Sequence, residues 1–416
     1  MFKYIKNKTY KLLKKSEKWT KTDMIYLAKG SFWLTSNKLV GTITAFLLAV
    51  IYANFLPKET YATYKYVLSV SSMLILFSLT GIDISLTRSV ARGYEGSFSE
   101  AIKLKLKWSL IGSLVGIFIS FYYFFNKNIE LGYCFLIAAV TTPFINSLVY
   151  GSYLRGKKLF KVTSIYNSLK NIISSIVIAT IVLSFPKLIT IVVGFYAINM
   201  ILQFSFYKYT FWKYTPNNKK DEGTISYGKH LSLMNIVSVV AEQIDKILLW
   251  HFLGPLQLAI YSFATLPVSQ AQSFLKSVTT LALPKMSNTD ITLLKKTFPL
   301  KILKFTILLI PMVILYIMVA PFVYKIFFPQ YQDSILLSQL FSVTLLFFPM
   351  RLISQIIIVK ADTKTLYFLR IFNPSIKIIL FTILIYFYGI YGLLYAIIIS
   401  NIIAIIIEYY FSIIKK

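Results

Sequence analysis

Residues 31–54 read SFWLTSNKLVGTITAFLLAVIYAN. Apart from one lysine the stretch is apolar, small or weakly polar, and it exceeds the ~20 residues a helix needs to cross a bilayer. Runs of the same kind recur at 61–85, 104–126, 131–151, 164–184, 188–210, 230–252, 257–280, 300–328, 333–358, 365–387 and 390–413. The whole chain of 416 residues is 57% hydrophobic and only 14% charged, with a mean hydropathy of +0.68. A soluble domain carries about 25% charged residues. The sequence therefore predicts an all-α polytopic membrane protein with twelve transmembrane helices.

The placement of the positive charge predicts the orientation. Of the 44 Lys and Arg, 33 fall in the N-terminal tail, in alternate gaps and at the C-terminus. The other gaps hold four: Lys58, Lys127, Lys187 and Lys325. This is a positive-inside pattern, and it predicts that both termini are cytoplasmic. Residues 1–30 contain nine lysines and lack the apolar core and small-residue cleavage site of a signal peptide. They read as a basic arm lying on the cytoplasmic face. A net charge of +29 would suit a polyanion, but here it is split into short interhelical clusters, which argues against nucleic acid and for anionic lipid headgroups.

The longest inward gap, residues 211–229 (FWKYTPNNKKDEGTISYGK), divides the chain into six-span lobes at 31–210 and 230–416. The lobes look related. FLPKETYATY follows the first span and FLGPLQLAIY the seventh, so aligning Leu56 with Leu253 sets Ala62 on Ala259 and Tyr64 on Tyr261. Spans one and seven run the same way, so the repeat would be parallel, about an axis along the membrane normal.

Charges inside hydrocarbon cost about 2.5–3.5 kcal/mol each on insertion scales, so they are expected to face a bundle interior or a wet cavity. Seven cations lie within the runs: Lys38, Lys65, Lys170, Lys246, Lys276, Arg351 and Lys377. Lys65 and Lys276 lie near span ends, where they can snorkel to the interface. Lys377 is near the centre of its span. Polar residues accompany these cations at helical spacing: Asn373 with Lys377, Gln355 with Arg351, Ser269 and Ser273 with Lys276 and Thr280, and Asn167, Asn171 and Ser174 with Lys170. Such stripes either line a cavity or bond across the bundle. Span seven carries Glu242, Asp245 and Lys246 together. Glu242 and Lys246 can pair at i, i+4, and a carboxylate in a membrane helix can also take up H⁺ or Na⁺.

Other chemistries lack their residues. The single Cys134 and the separated His230 and His251 provide neither a disulfide nor a metal pair. The sequence has no GxxxxGK[ST], HExxH or GxSxG, and no loop large enough for a soluble catalytic domain, so an enzyme is not expected.

Three segments carry a resemblance: residues 30–66 (GSFWLTSNKLVGTITAFLLAVIYANFLPKETYATYKY), 79–92 (LTGIDISLTRSVAR) and 240–267 (VAEQIDKILLWHFLGPLQLAIYSFATLP). The chain resembles the bacterial polysaccharide flippases, the Wzx-type O-antigen and capsule repeat-unit transporters of the multidrug/oligosaccharidyl-lipid/polysaccharide exporter superfamily. Asp245 and Tyr261 fall where that family's pattern places them, whereas Pro57 and Tyr61 depart from it. The resemblance implies a MATE-like exporter fold in the bacterial inner (plasma) membrane. It implies flipping of oligosaccharide repeat units on undecaprenyl pyrophosphate to the outer leaflet by alternating access, for O-antigen, capsule or exopolysaccharide synthesis. It further implies a polysaccharide polymerase and a chain-length regulator as partners. On this reading Lys38, Lys170, Arg351, Lys377, Lys246 and Lys276 would be cavity cations for the pyrophosphate. Asn373, Gln355, Ser273 and Asn167 would be polar cavity groups, and Asp245 and Glu242 would couple to H⁺ or Na⁺. A drug/cation antiporter of the same superfamily and a membrane polysaccharide polymerase are the rival readings.

Overall fold

In lipid every backbone N–H and C=O must be bonded within the chain, so an apolar run of this length folds as a helix or joins a closed barrel. The computed structural model describes residues 24–287, 291–350 and 363–411, and every regular element among them is helical. Most of the basic arm, the stretch 351–362 with Arg351 and Gln355, and residues 412–416 lie outside the described residues. The first half comprises α1 (Met24–Phe55), α2 (Lys58–Met73), α3 (Ile82–Ala91), α4 (Ser97–Phe125), α5 (Ile129–Ser147), α6 (Tyr150–Gly156), α7 (Phe160–Ser184) and α8 (Leu188–Tyr214). The second comprises α9 (Gly223–Ser287), α10 (Ile291–Phe327), α11 (Ser334–Val343) and α12 (Thr363–Tyr409). Among the described residues eight helices are long and apolar enough to cross a membrane, and the bent pair Lys58–Ser78 with Ile82–Ala91 would make a ninth. The chain is a multi-span membrane protein.

Two of the long helices fold back on themselves. In α9, Gly254 has φ +82° and ψ 177°, a conformation open essentially to glycine alone. The Tyr261 hydroxyl consequently reaches Asp245 Oδ2 at 2.6 Å. In a straight helix these residues would be about 24 Å apart along the axis. Gly389 (φ +57°) does the same for α12, where Asn373 Nδ2 donates to Glu408 Oε1 at 2.9 Å.

Two spans of the first half are broken. Between α2 and α3 a 3₁₀ turn (Leu74–Ser78) leads into Leu79 at φ +53°, and the helix axis bends by 51°. Between α5 and α6 the helix breaks at Leu148, whose carbonyl accepts from the Tyr150 N–H at 3.0 Å and from Gln203 Nε2 at 2.6 Å. Gln203 Oε1 in turn accepts from Lys170 Nζ at 3.0 Å.

The halves meet along two seams. One buried cluster draws from both, including Ala53, Tyr61, Phe263, Tyr331 and Phe381. At the end with the short connections, Lys58 pairs with Asp333 at 3.3 Å and Asn54 Nδ2 donates to the Phe327 carbonyl at 3.1 Å. Beneath them the rings of Phe263 and Tyr331 stack with centroids 3.8 Å apart, and Tyr61 packs on Phe263 at 4.7 Å. At the opposite end α3 crosses α9 with the backbones nearly touching. A Cβ on Gly81 would lie 2.5 Å from the Gly228 carbonyl oxygen, and the Gly81 N–H donates to Ser232 Oγ at 3.0 Å.

The segment 215–222 between the halves is fastened to the α3–α4 loop. The Gly96 N–H donates to the Lys219 carbonyl, Asn217 bonds both Glu95 N and Gly93 O, and Arg92 pairs with Asp221. Glu95 accepts from Lys157 Nζ at 2.6 Å and from the Tyr153 hydroxyl at 2.8 Å. Partial burial raises the Glu95 pKa, but these two donors outweigh it and hold the carboxyl below its usual value.

A charged cavity between the two halves

Between the seams lies a cavity of about 750 Å³. Its walls come from α1, α2, α8, both arms of α9, α11 with the 3₁₀ turn after it, and α12. Three lysines line it: Lys65 on α2, Lys246 on the first arm of α9 and Lys377 on α12. Glu242 and Asp245 line it too, so the wall carries three cations and two carboxylates. Much of the rest is aromatic, with Tyr52, Tyr61, Tyr64, Tyr261, Phe341 and Phe381.

Each charge has a distinct environment. Lys65 lies 5.4 Å from the centre of the Tyr61 ring, a cation–π contact, and its ammonium group is close enough to Lys246 for the two to repel. They come from opposite halves, so the repulsion acts between α2 and the first arm of α9. Lys246 Nζ donates to Gln243 Oε1 at 3.1 Å, and among the described residues no ion pair joins it to Glu242, although their spacing allows one. Lys377 Nζ donates to the Ala241 carbonyl at 3.2 Å and sits 5.0 Å over the Phe381 ring. That bond ties α12 to α9. Asp245 Oδ2 accepts from Tyr261, while Oδ1 is buried without a hydrogen-bond partner.

The structure thus brings together Lys246, Lys377, Glu242, Asp245 and Ser269 of the residues singled out in the sequence. Others lie elsewhere. Lys38 is exposed on α1 and donates to Ser273 Oγ at 3.1 Å, fastening α1 to the second arm of α9 outside the cavity wall. Lys170 is engaged with Gln203 at the α5–α6 break. Asn373 bonds Glu408, Asn167 is half-buried on α7 and Lys276 is exposed on α9; none of the three lines the cavity. Arg351 and Gln355 lie outside the described residues.

Lys65 is a cavity residue that span ends alone obscure. Its signal was the spacing: Lys65, Ser69 and Ser72 stand at i, i+4 and i+7, and all three line the wall. Gln243, Gln270, Gln272 and Asn401 were missed as well, being uncharged and scattered over three spans.

The register that sets Leu56 on Leu253 also sets Ala45, Leu48 and Ala49 on Glu242, Asp245 and Lys246, and all six line the cavity. It likewise sets Lys65 on Ser262, again both on the wall. In this register the aligned positions of the two segments line one cavity, with different chemistry at each.

Comparisons with known proteins agree with this architecture. The solved structure of lipid II flippase MurJ in an inward closed conformation superimposes with a TM-score of 0.69 at 16% identity, covering 92% of this chain and 87% of that one. An outward-facing multidrug resistance MATE family transporter of the MOP superfamily gives 0.58 at 16% identity, covering 92% and 94%. MATE in complex with MaD3S gives 0.60 at 16%, covering 93% and 94%. At such identities the likeness establishes a shared fold. A comparison with curated protein sequences gives no match. A family profile described as "Polysaccharide biosynthesis protein" matches residues 27–290, well over half of the chain, and the protein therefore belongs to the polysaccharide biosynthesis protein family.

Proposed function

We propose that this protein is a flippase for lipid-linked oligosaccharides, moving repeat units on undecaprenyl pyrophosphate from the cytoplasmic to the outer leaflet of the bacterial plasma membrane. The observation that carries the reading is the cavity between the halves, walled by Lys65, Lys246 and Lys377 among aromatic rings. A pyrophosphate is a dense anion. Opposite charges about 4 Å apart attract by roughly 4 kcal/mol at an effective dielectric of 20, against about 1 kcal/mol in water. Tyrosine and phenylalanine faces offer apolar contact to sugar rings on the same wall. Family membership supplies the polysaccharide context.

The rest of the reading extends the fold. Counting both arms of α9 and of α12, the bent α2–α3 pair, and α11 with its continuation brings the helical spans to twelve. The basic connections then lie in the cytoplasm with both termini, as the charge distribution predicts. The halves rock about the cavity and expose it to each side in turn. Glu242 and Asp245 are the groups available for H⁺ or Na⁺ coupling.

Deleting the gene and locating the lipid-linked repeat unit tests this proposal. Accumulation of single units on the cytoplasmic leaflet is expected, with the same result from Lys377→Ala at normal protein levels. Accumulation on the outer leaflet would overturn the reading in favour of a polymerase, and unchanged glycan without accumulation would favour a drug antiporter.

A further inference from the structure

Tyr61 belongs to two parts of the molecule at once. It lines the cavity, and it is the first-half member of the ring stack at the end with the short connections. There it packs on Phe263 at 4.7 Å and meets Tyr331 edge-on at 6.2 Å, while Phe263 and Tyr331 stack at 3.8 Å. All three residues are at most 1% exposed, so water does not pass between them. Phe263 comes from the second arm of α9 and Tyr331 from the 3₁₀ turn Pro329–Tyr331 after α10. Lys58 lies on the far side, 5.5 Å from the centre of the Tyr331 ring. The stack therefore stands between the cavity and this end of the molecule, and it spans both halves.

The rings, not the polar groups above them, hold this end shut. The Lys58–Asp333 pair is open to solvent, with Asp333 69% exposed, and such pairs contribute little. One group opposes closure. The Tyr331 hydroxyl is buried without a hydrogen-bond partner, and parting the rings would return it to water. On the cavity side, Lys65 follows Tyr61 at i+4 on the same face of α2 and lies 5.4 Å from the centre of its ring. Among the described residues no ion pair includes Lys65. Its half-buried ammonium thus rests on the one ring that links the cavity wall to the stack.

We propose that Tyr61 couples occupancy of the cavity to opening at this end: an anion that draws Lys65 off the ring face releases Tyr61 from the stack. The inference rests on the flippase reading for the identity of the anion, a lipid pyrophosphate, and for the direction of opening, outward. A ligand shifts a two-state equilibrium only by its difference in affinity for the two states. In the closed form the anion and the Tyr61 ring compete for one ammonium. Once the ring has left, the anion has Lys65 to itself. It therefore binds the open form more tightly by the strength of one cation–π contact, on the order of fivefold, and the ratio of open to closed rises by the same factor. Tyr61 is a positioning residue here, acting through Lys65 on one side and Phe263 on the other.

The test reads opening as a distance. Nitroxide labels at Glu59→Cys and Gln332→Cys, both exposed and next to the roof pair, flank the stack, with the buried Cys134 replaced by alanine. Electron–electron double resonance is recorded on the full-length protein in nanodiscs, empty, with inorganic pyrophosphate and with undecaprenyl pyrophosphate. In the otherwise wild-type protein either probe is expected to raise the long-distance population about fivefold relative to the short one. Tyr61→Leu should abolish that response and bind the probes up to about fivefold more tightly, because the ring no longer competes for Lys65. Tyr61→Phe keeps the ring face and should respond as Tyr61 does, and Lys65→Met should not respond. A residue serving only as packing would leave both the probe affinity and the response in place when changed to leucine. That result, or a full response in Lys65→Met, overturns the proposal. Undecaprenyl pyrophosphate that binds without moving the labels overturns it too and leaves the flippase reading standing. Binding and opening with inorganic pyrophosphate but not with the lipid would sink the flippase reading and keep the coupling. Binding of neither probe would overturn both.

Discussion

Replacing Lys65 by methionine should strengthen the empty protein and weaken its hold on an anion. Lys65 is half-buried, repels Lys246 across the seam and rests over the Tyr61 ring. Two like charges on the order of 8 Å apart at an effective dielectric of 20 repel by roughly 2 kcal/mol, which sets the scale of the effect. The cation–π contact returns about 1 kcal/mol. The net relief is about 1 kcal/mol, which for a chain of 416 residues would raise the thermal midpoint in detergent by roughly 1–2 °C. Methionine keeps the length of the stem and its apolar contacts, so the change isolates the charge. Binding moves the other way. An anion at about 8 Å from the lost charge forfeits roughly 2 kcal/mol, close to thirtyfold in Kd. Thermal unfolding and titration with undecaprenyl pyrophosphate measure both quantities on one preparation. A lysine serving only as packing or interfacial anchor would lose stability and leave binding alone. That outcome, a lower midpoint with unchanged affinity, would refute the reasoning.

Two further consequences follow from local geometry. Gly254→Ala meets no neighbour within 4 Å of the new Cβ, so its cost is backbone strain alone. About 1–3 kcal/mol of destabilisation is expected from the lost φ +82° conformation, seen as a lower thermal midpoint and reduced accumulation in the membrane. Glu95 gives a pH signature. Its carboxyl is held below the usual value by Lys157 and Tyr153, so the stability it adds is fully present above the unfolded pKa and disappears as pH falls through the folded one. Wild type should therefore exceed Glu95→Gln in thermal midpoint by a constant margin at neutral pH, and the two curves should converge on the acid side of pH 4.5.

The helical membrane architecture was legible because hydrocarbon imposes it: run length and charge alternation report constraints that each span obeys locally. The folded-back helices were legible as well, since Gly254 and Gly389 fall in the short gaps between runs. The breaks at Leu79 and Leu148 were not, because both fall inside runs long enough to span as one helix, and their polar groups are satisfied partly from other helices, as Gln203 does for Leu148 and Ser232 for the Gly81 N–H. The site was legible in part for the same reason. Depth along a span identified Lys377, but depth says nothing about azimuth. Lys38 and Lys170 are as deep as a cavity residue needs to be, yet they point at Ser273 and Gln203. Lys65 lies near a span end and still faces the cavity. Which face of a helix meets which neighbour is decided by tertiary packing, and the polar stripe through Ser69 and Ser72 was the only local trace of it.

The register that aligns Leu56 with Leu253 offers a way to separate what folding requires from what the proposed transport requires. In that register Ala45, Leu48 and Ala49 align with Glu242, Asp245 and Lys246, and all six line the cavity. The aligned positions of the first half line it without charge. Writing the first-half residues into the second, as Glu242→Ala with Asp245→Leu and Lys246→Ala, should then leave an inserted, folded protein. Tyr261 would lose its acceptor, at about 1–3 kcal/mol for a buried hydroxyl. Removing the incompletely bonded Asp245 carboxylate offsets a desolvation penalty of several kcal/mol. The balance predicts a thermal midpoint close to wild type or above it. Repeat-unit transport should nevertheless be lost, because the cavity would be left with Lys65 and Lys377 and no carboxylate. A triple variant that fails to fold would show that the charges on α9 hold the halves together, and the assignment of these residues to transport would fall with it.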